Sequence, residues 1–180
     1  MHEFTLVIII LKLFLCQNRS KSFVIDLECN HDITLISISP DGTCFLCFDD
    51  HGLVMLVSLI TNKLILKHNF MQPINACAFS PCCSFVALAK NNIIQIFEAP
   101  GLKRVFNPFV ALRNCVVGQS EISSLAWHKS SKAMLATNAD SIATVIGLKG
   151  RKGVVMTSLN GHSAAMTNAF FTNDNFDVIN

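Results

Sequence analysis

Eight cysteines and six histidines are the residues of this 180-residue chain that could bind a metal or carry redox chemistry. Cys44-Phe-Leu-Cys47 is the one C-x-x-C spacing. Zinc needs ligands that converge from one side, whereas residues three apart on a strand point to opposite faces. Cys82-Cys83 follows Ser80-Pro81 in a turn-like stretch and has no partner pair at zinc spacing. All eight cysteines are therefore expected to be reduced thiols, mostly acting as small core hydrophobes. His31, His51, His68 and His128 fall at irregular intervals, with no H-x-x-x-H and no paired carboxylates at ligand-like distance. Asp49 and Asp50, adjacent in the chain, read as a solvated turn. The expectation is no metal site and no cofactor.

Catalytic patterns are equally scarce. There is no G-x-S-x-G elbow, no G-x-G-x-x-G and no P-loop, and the glycines are solitary. We expect no catalytic residue, no enzymatic activity and no small-molecule substrate. Net charge is only +2, too little to argue for nucleic acid by itself, but its distribution is uneven. Eight of the fourteen basic residues lie between Lys103 and Lys152, where Glu121 and Asp140 are the only acids. Lys103-Arg104 and Arg151-Lys152 each sit in a turn or insertion. From there their side chains could reach a phosphate backbone or an acidic protein surface, which makes these four the candidate contacts with RNA or a partner.

The segments that would position these residues repeat. Ile33, Ile36 and Ile38 precede Ser39-Pro-Asp-Gly42; Ile74, Cys77 and Phe79 precede Ser80-Pro-Cys-Cys83; Ile122, Leu125 and Trp127 precede His128-Lys-Ser-Ser131; Met166, Ala169 and Phe171 precede Thr172-Asn-Asp-Asn175. Taking Ile38, Phe79, Trp127 and Phe171 as equivalent gives spacings of 41, 48 and 44 residues. Each unit continues with short apolar runs: Cys44–Phe48, Leu53–Leu59 and Leu64–His68 in the first, Phe85–Ala89 and Ile93–Phe97 in the second, Ala133–Thr137, Ile142–Ile146 and Val154–Leu159 in the third. A period of roughly 40–45 residues built from short strands marks the blades of a WD-repeat β-propeller. The predicted fold is thus all-β, an incomplete propeller of about three to four blades from a longer protein. Gly161-His162 matches the Gly-His dipeptide of such repeats, where the His joins a buried hydrogen-bond network with a turn Asp, a structural role. Trp127, the sole Trp, aligns with core positions of the other repeats and is expected to be core, not a base-stacking platform.

Residues 1–17 lack the repeat pattern. Thr5 to Cys16 is apolar except for Lys12, yet it is too short to span a bilayer, and no basic region precedes it as in a signal peptide. A buried strand, a weak targeting segment and sequence foreign to the protein all fit; the last is preferred. The expected organisation is a non-native apolar segment over 1–17 and a partial propeller over 18–180.

One segment is more specific than the repeats. Ala99-Pro-Gly-Leu-Lys-Arg-Val-Phe-Asn-Pro-Phe109, together with Leu53–Leu59, Ser80-Pro81 and Leu159-Asn-Gly-His-Ser-Ala-Ala-Met-Thr-Asn-Ala-Phe-Phe171, resembles the N-terminal region of the periodic tryptophan protein 2 family. The resemblance implies a non-enzymatic scaffold of ribosome biogenesis with two tandem propellers and a helical C-terminal domain. It implies membership of the UTP-B subcomplex of the small-subunit processome, and a role in rRNA processing. The implied partners are other WD-repeat subunits of that subcomplex, pre-ribosomal RNA and small nucleolar RNA, with a nuclear, nucleolar location and no membrane. The chain departs from the family pattern at residues 1–17 and has no counterpart of the second propeller or helical domain. A generic WD-repeat interaction module in another assembly is the alternative.

Overall fold

The computed structural model describes residues 27, 29, 31–100, 109–149, 153–161, 164–172 and 178–179. Among them there is no helix. Three four-stranded antiparallel sheets follow one another along the chain, each in simple meander order. The first holds β1 (Ile33–Ile38), β2 (Cys44–Asp49), β3 (Leu53–Ser58) and β4 (Lys63–Asn69). The second holds β5 (Ala76–Phe79), β6 (Phe85–Lys90), β7 (Ile93–Glu98) and β8 (Ala111–Val116). The third holds β9 (Ile122–Trp127), β10 (Ala133–Asn138), β11 (Ile142–Gly147) and β12 (Val154–Asn160). A fourth unit is represented by β13 (Phe170–Phe171) paired with β14 (Val178–Ile179). Ile36, Cys77 and Leu125 therefore lie on the first strands of three separate sheets, as blades require. The neighbouring first strands, β1 with β5 and β5 with β9, lie beside one another.

Burial follows strand position. The second strands are buried at almost every residue, CFLCFD in β2 and AMLATN in β10 without exception. A strand covered on one face alternates, but here both faces are covered by the adjacent sheets, so the run is buried throughout and apolar up to the polar end residues Asp49, Thr137 and Asn138. The fourth strands are the reverse: all seven residues of β12 are exposed. Four apolar clusters fill the seams. Phe45, Cys47, Met55 and Val57 point to one face of the first sheet with Leu27. Leu46, Phe48, Val54 and Leu56 point to the other face and meet Val86, Leu88 and Phe97 of the second sheet. Ala87, Ala89, Ile94 and Ile96 meet Met134, Ala136 and Ile146 of the third. Leu135, Ala143 and Val145 meet Met166 and Ala169 of the fourth unit. Each fully buried Leu in these seams contributes about 2 kcal/mol of transfer free energy. Cys44 and Cys47 fall in different seams, on opposite faces of β2.

The β1–β2, β5–β6 and β9–β10 turns are built alike. Ser39, Ser80 and His128 donate their amides to the carbonyls of Cys44, Phe85 and Ala133, and their own carbonyls accept from Gly42, Cys83 and Ser131. That geometry places the last three in the left-handed region, at φ of 67°, 54° and 56°. Gly42 signals such a turn in the sequence, because glycine has no Cβ penalty there; Cys83 and Ser131 carry no such signal.

Candidate functional site

In a meander, the first and third turns of each sheet lie at one end and the second turn and exit at the other. Neighbouring sheets are in register, because the Cys82 amide donates to Ser131 Oγ at 3.1 Å between equivalent turns. At the opposite end Lys90 Nζ donates to the Phe70 carbonyl at 3.3 Å across the first seam. The molecule thus has two rims, and they divide the charge. The first-and-third-turn connections carry Lys103, Arg104, Lys129, Lys132, Lys149, Arg151 and Lys152 against one acid, Asp41. On the other rim the turns and approach segments carry Asp32, Asp50, Glu121 and Asp140, and the basic side chain at that end is Lys90, the last residue of β6.

The four basic candidates Lys103, Arg104, Arg151 and Lys152 lie outside the described residues, but both connections that carry them are anchored. Ala99, at the start of the β7–β8 connection, is buried, and its amide donates to the Ser84 carbonyl at 2.9 Å. At the far end Phe109 packs edge-on to Phe70 and Phe97 and stacks on His68. In the β11–β12 connection the Leu148 amide donates to the Lys132 carbonyl at 2.9 Å, and the Gly153 amide to Cys115 Sγ at 3.2 Å. Any Cβ on Gly153 would run into the Cys115 side chain and Ile146. The two basic connections therefore leave and re-enter the same rim in successive sheets.

Trp127 is half-buried against the second seam, and its indole N–H donates to the Ala78 carbonyl at 2.9 Å. Gly161 is exposed directly after β12, and His162 lies outside the described residues. A turn acid does hold a blade turn in the first sheet. Asp49 is buried, not solvated as expected, and its Oδ1 accepts the amides of His51 at 2.9 Å and Leu53 at 2.7 Å. Asn138 does the same in the third sheet, its Oδ1 accepting the Ile142 amide at 3.1 Å.

Two features escaped the sequence. On the acidic rim, His31, Asp50 and His51 converge although twenty residues separate the first from the last. His51 Nδ1 is 2.6 Å from Asp50 Oδ1, and His31 Nδ1 is 3.9 Å from the same oxygen. The hydrogen bond from His51 holds the Asp50 carboxyl below its ordinary range, and the same bond raises the His51 imidazole. On the basic rim, burial works upward on the Cys82 thiol, but the hydroxyls of Ser131, Ser80 and Ser84 outweigh it and bring it down to about 7. Neither cluster can be read from spacing, since each joins residues brought together by turns.

No family model matches the chain. Among curated proteins it is 30% identical over 159 residues to periodic tryptophan protein 2 of Saccharomyces cerevisiae. It is 29% identical over 160 residues to the periodic tryptophan protein 2 homolog of Mus musculus, and 28% over 164 residues to that of Caenorhabditis elegans. These alignments take in 87%, 89% and 90% of this chain, but only 17%, 17% and 18% of the relatives. The chain therefore spans about a sixth of the length of the curated relatives it matches. The resemblance to the periodic tryptophan protein 2 family, read above from the 99–109 segment and its flanking repeats, is borne out over most of the chain.

Proposed function

We propose that this chain serves as part of a non-enzymatic WD-repeat scaffold in ribosome biogenesis, and that its basic rim faces RNA. The finer reading follows the family resemblance: a subunit of the UTP-B subcomplex of the small-subunit processome, located in the nucleolus. It supports pre-rRNA processing beside other WD-repeat subunits, pre-ribosomal RNA and small nucleolar RNA. In this reading residues 18–180 are a partial propeller and residues 1–17 are foreign to it.

The observation that carries the RNA-facing part is the division of charge between the rims. The connections that begin and end on one rim carry seven Lys and Arg residues in their sequence, and most acids of the turns lie on the other. Phosphate neutralisation favours such a one-sided array, and the sheets hold the ends of these connections on one rim. Blade seams supply shape, and the loops supply contact.

The test replaces Lys103, Arg104, Arg151 and Lys152 together with Glu in the intact protein and follows its co-sedimentation with pre-ribosomal particles. The expected result is weakened association that is steeply salt-dependent in the unaltered protein. Unchanged co-sedimentation removes the RNA-facing rim, and diffuse cytoplasmic signal from the tagged intact protein removes the ribosomal assignment.

A further inference from the structure

The acidic rim carries an arrangement that the scaffold reading does not use. The chain approaching β1 and the β2–β3 turn are tied together at the backbone: the Asp50 amide donates to the Asp32 carbonyl at 3.1 Å. The turn itself is fixed from beneath by the buried Asp49 carboxylate, which takes the amides of His51 and Leu53. With both backbones held, three side chains project to solvent on one spot. The side chains of His31, Asp50 and His51 are 47%, 45% and 61% exposed. The two imidazoles lie face to face, centroids 3.9 Å apart and tilted by 32°, and both present Nδ1 to Asp50 Oδ1. One ligand atom from each residue lies within 4.8 Å of the other two.

We propose that His31, Asp50 and His51 form a surface binding site for a divalent transition-metal ion, zinc by preference. Two imidazole nitrogens and one carboxylate oxygen make a borderline donor set. It suits zinc and disfavours calcium and magnesium, which require oxygen ligands throughout. Tetrahedral zinc with bonds of about 2.0–2.2 Å needs donors about 3.3–3.6 Å apart. The 2.6 Å His51–Asp50 pair must therefore widen as its hydrogen bond gives way to the metal, and the 3.9 Å His31–Asp50 pair must draw in. Rotations of these exposed side chains supply both adjustments. Three protein ligands leave the fourth position to water or to a donor from a docked partner. The bound ion clamps the segment around His31 onto the β2–β3 turn, adding a cross-link at the entry to the first sheet. Cys29 stands beside the site, its Sγ 3.3 Å from the His31 carbonyl and 3.9 Å from Asp49 Oδ2, so the test must separate thiolate from imidazole binding.

The experiment titrates the metal-free full chain with zinc chloride by calorimetry, comparing His31→Ala, His51→Ala, Asp50→Asn, Cys29→Ser and the Cys82→Ser/Cys83→Ser pair. Cobalt(II) absorption is recorded in parallel, and circular dichroism is taken on every variant to confirm the sheets. One equivalent should bind. Each of the first three changes should lower affinity by at least about tenfold, the scale on which metal sites respond to altered support. The cysteine variants should bind as the unaltered chain does, and cobalt should show no thiolate charge-transfer band. Absence of saturable binding, undiminished affinity in the histidine variants, or a thiolate band that disappears with Cys29 or the Cys82–Cys83 pair would each overturn the proposal.

Discussion

The indole N–H of Trp127 and the carbonyl of Ala78 meet at 2.9 Å, joining the last residue of β9 to the penultimate position of β5. Together with the Cys82 amide's bond to Ser131 Oγ, it ties the third sheet to the second. The seam beneath the indole mixes small side chains, Ala87, Ala89 and Ala136, with Met134 and the β-branched Ile94, Ile96 and Ile146, and the indole bond adds a directional contact to this apolar fit. Trp127→Phe keeps most of the apolar contact and deletes the donor. It should lower the unfolding free energy by about 1–3 kcal/mol, the cost of leaving a part-buried carbonyl unmet. Urea denaturation followed by circular dichroism measures it; an unmoved midpoint would show that the seam holds without the bond.

Asp49 and Asn138 occupy the same place in two sheets, and each closes a three-residue turn by accepting the amide four residues ahead. The corresponding turn of the second sheet is the shorter Asn91-Asn92, with Asn91 at φ 52°, and its sheet position is filled by Lys90. The shorter turn leaves no amide at that offset to cap. Asp49→Ala should therefore destabilise the protein by about 1–3 kcal/mol, because two amides lose a buried partner. Lys90→Ala, in contrast, should cost under about 1 kcal/mol, as expected for one hydrogen bond from a flexible chain. Equal losses from the two changes, read from urea midpoints, would contradict this account of the turns.

Cys82 and Cys47 should differ sharply in reactivity. The Cys82 thiol, brought to about 7, is half thiolate near neutrality, whereas burial pushes Cys47 up to about 12 and closes access to it. Iodoacetamide alkylation of Cys82, followed by peptide mass spectrometry, should rise through a midpoint near pH 7 and level off. Cys47 should stay unlabelled until the sheets unfold. Because the folded state lowers the Cys82 value from 9.0, the stabilisation linked to its thiolate is complete above pH 9 and lost as pH falls through about 7. Labelling of Cys82 that keeps rising to pH 9 would show that the surrounding hydroxyls do not favour the thiolate.

The repeat units, their strands and the separation of Cys44 from Cys47 were legible in the chain itself. Apolar periodicity and turn residues are local properties, and the meander order of each sheet follows from short connections between adjacent strands. The candidate contacts Lys103, Arg104, Arg151 and Lys152 were visible as charge runs. That their connections open onto the same rim was not, since a rim is defined only once strand directions alternate within each sheet. Asp49 illustrates the limit most directly. Beside Asp50 in the chain it reads as one of two solvated acids, yet the strand end turns it inward to meet two amides while its neighbour remains in solvent. The convergence of His31 with His51, and of Ser131 with Cys82, belongs to the tertiary structure alone. Side chains 20 and 49 residues apart become neighbours only when sheets pack and turns stack; the repeat marks the turns of Cys82 and Ser131 as equivalent, but not that their side chains meet.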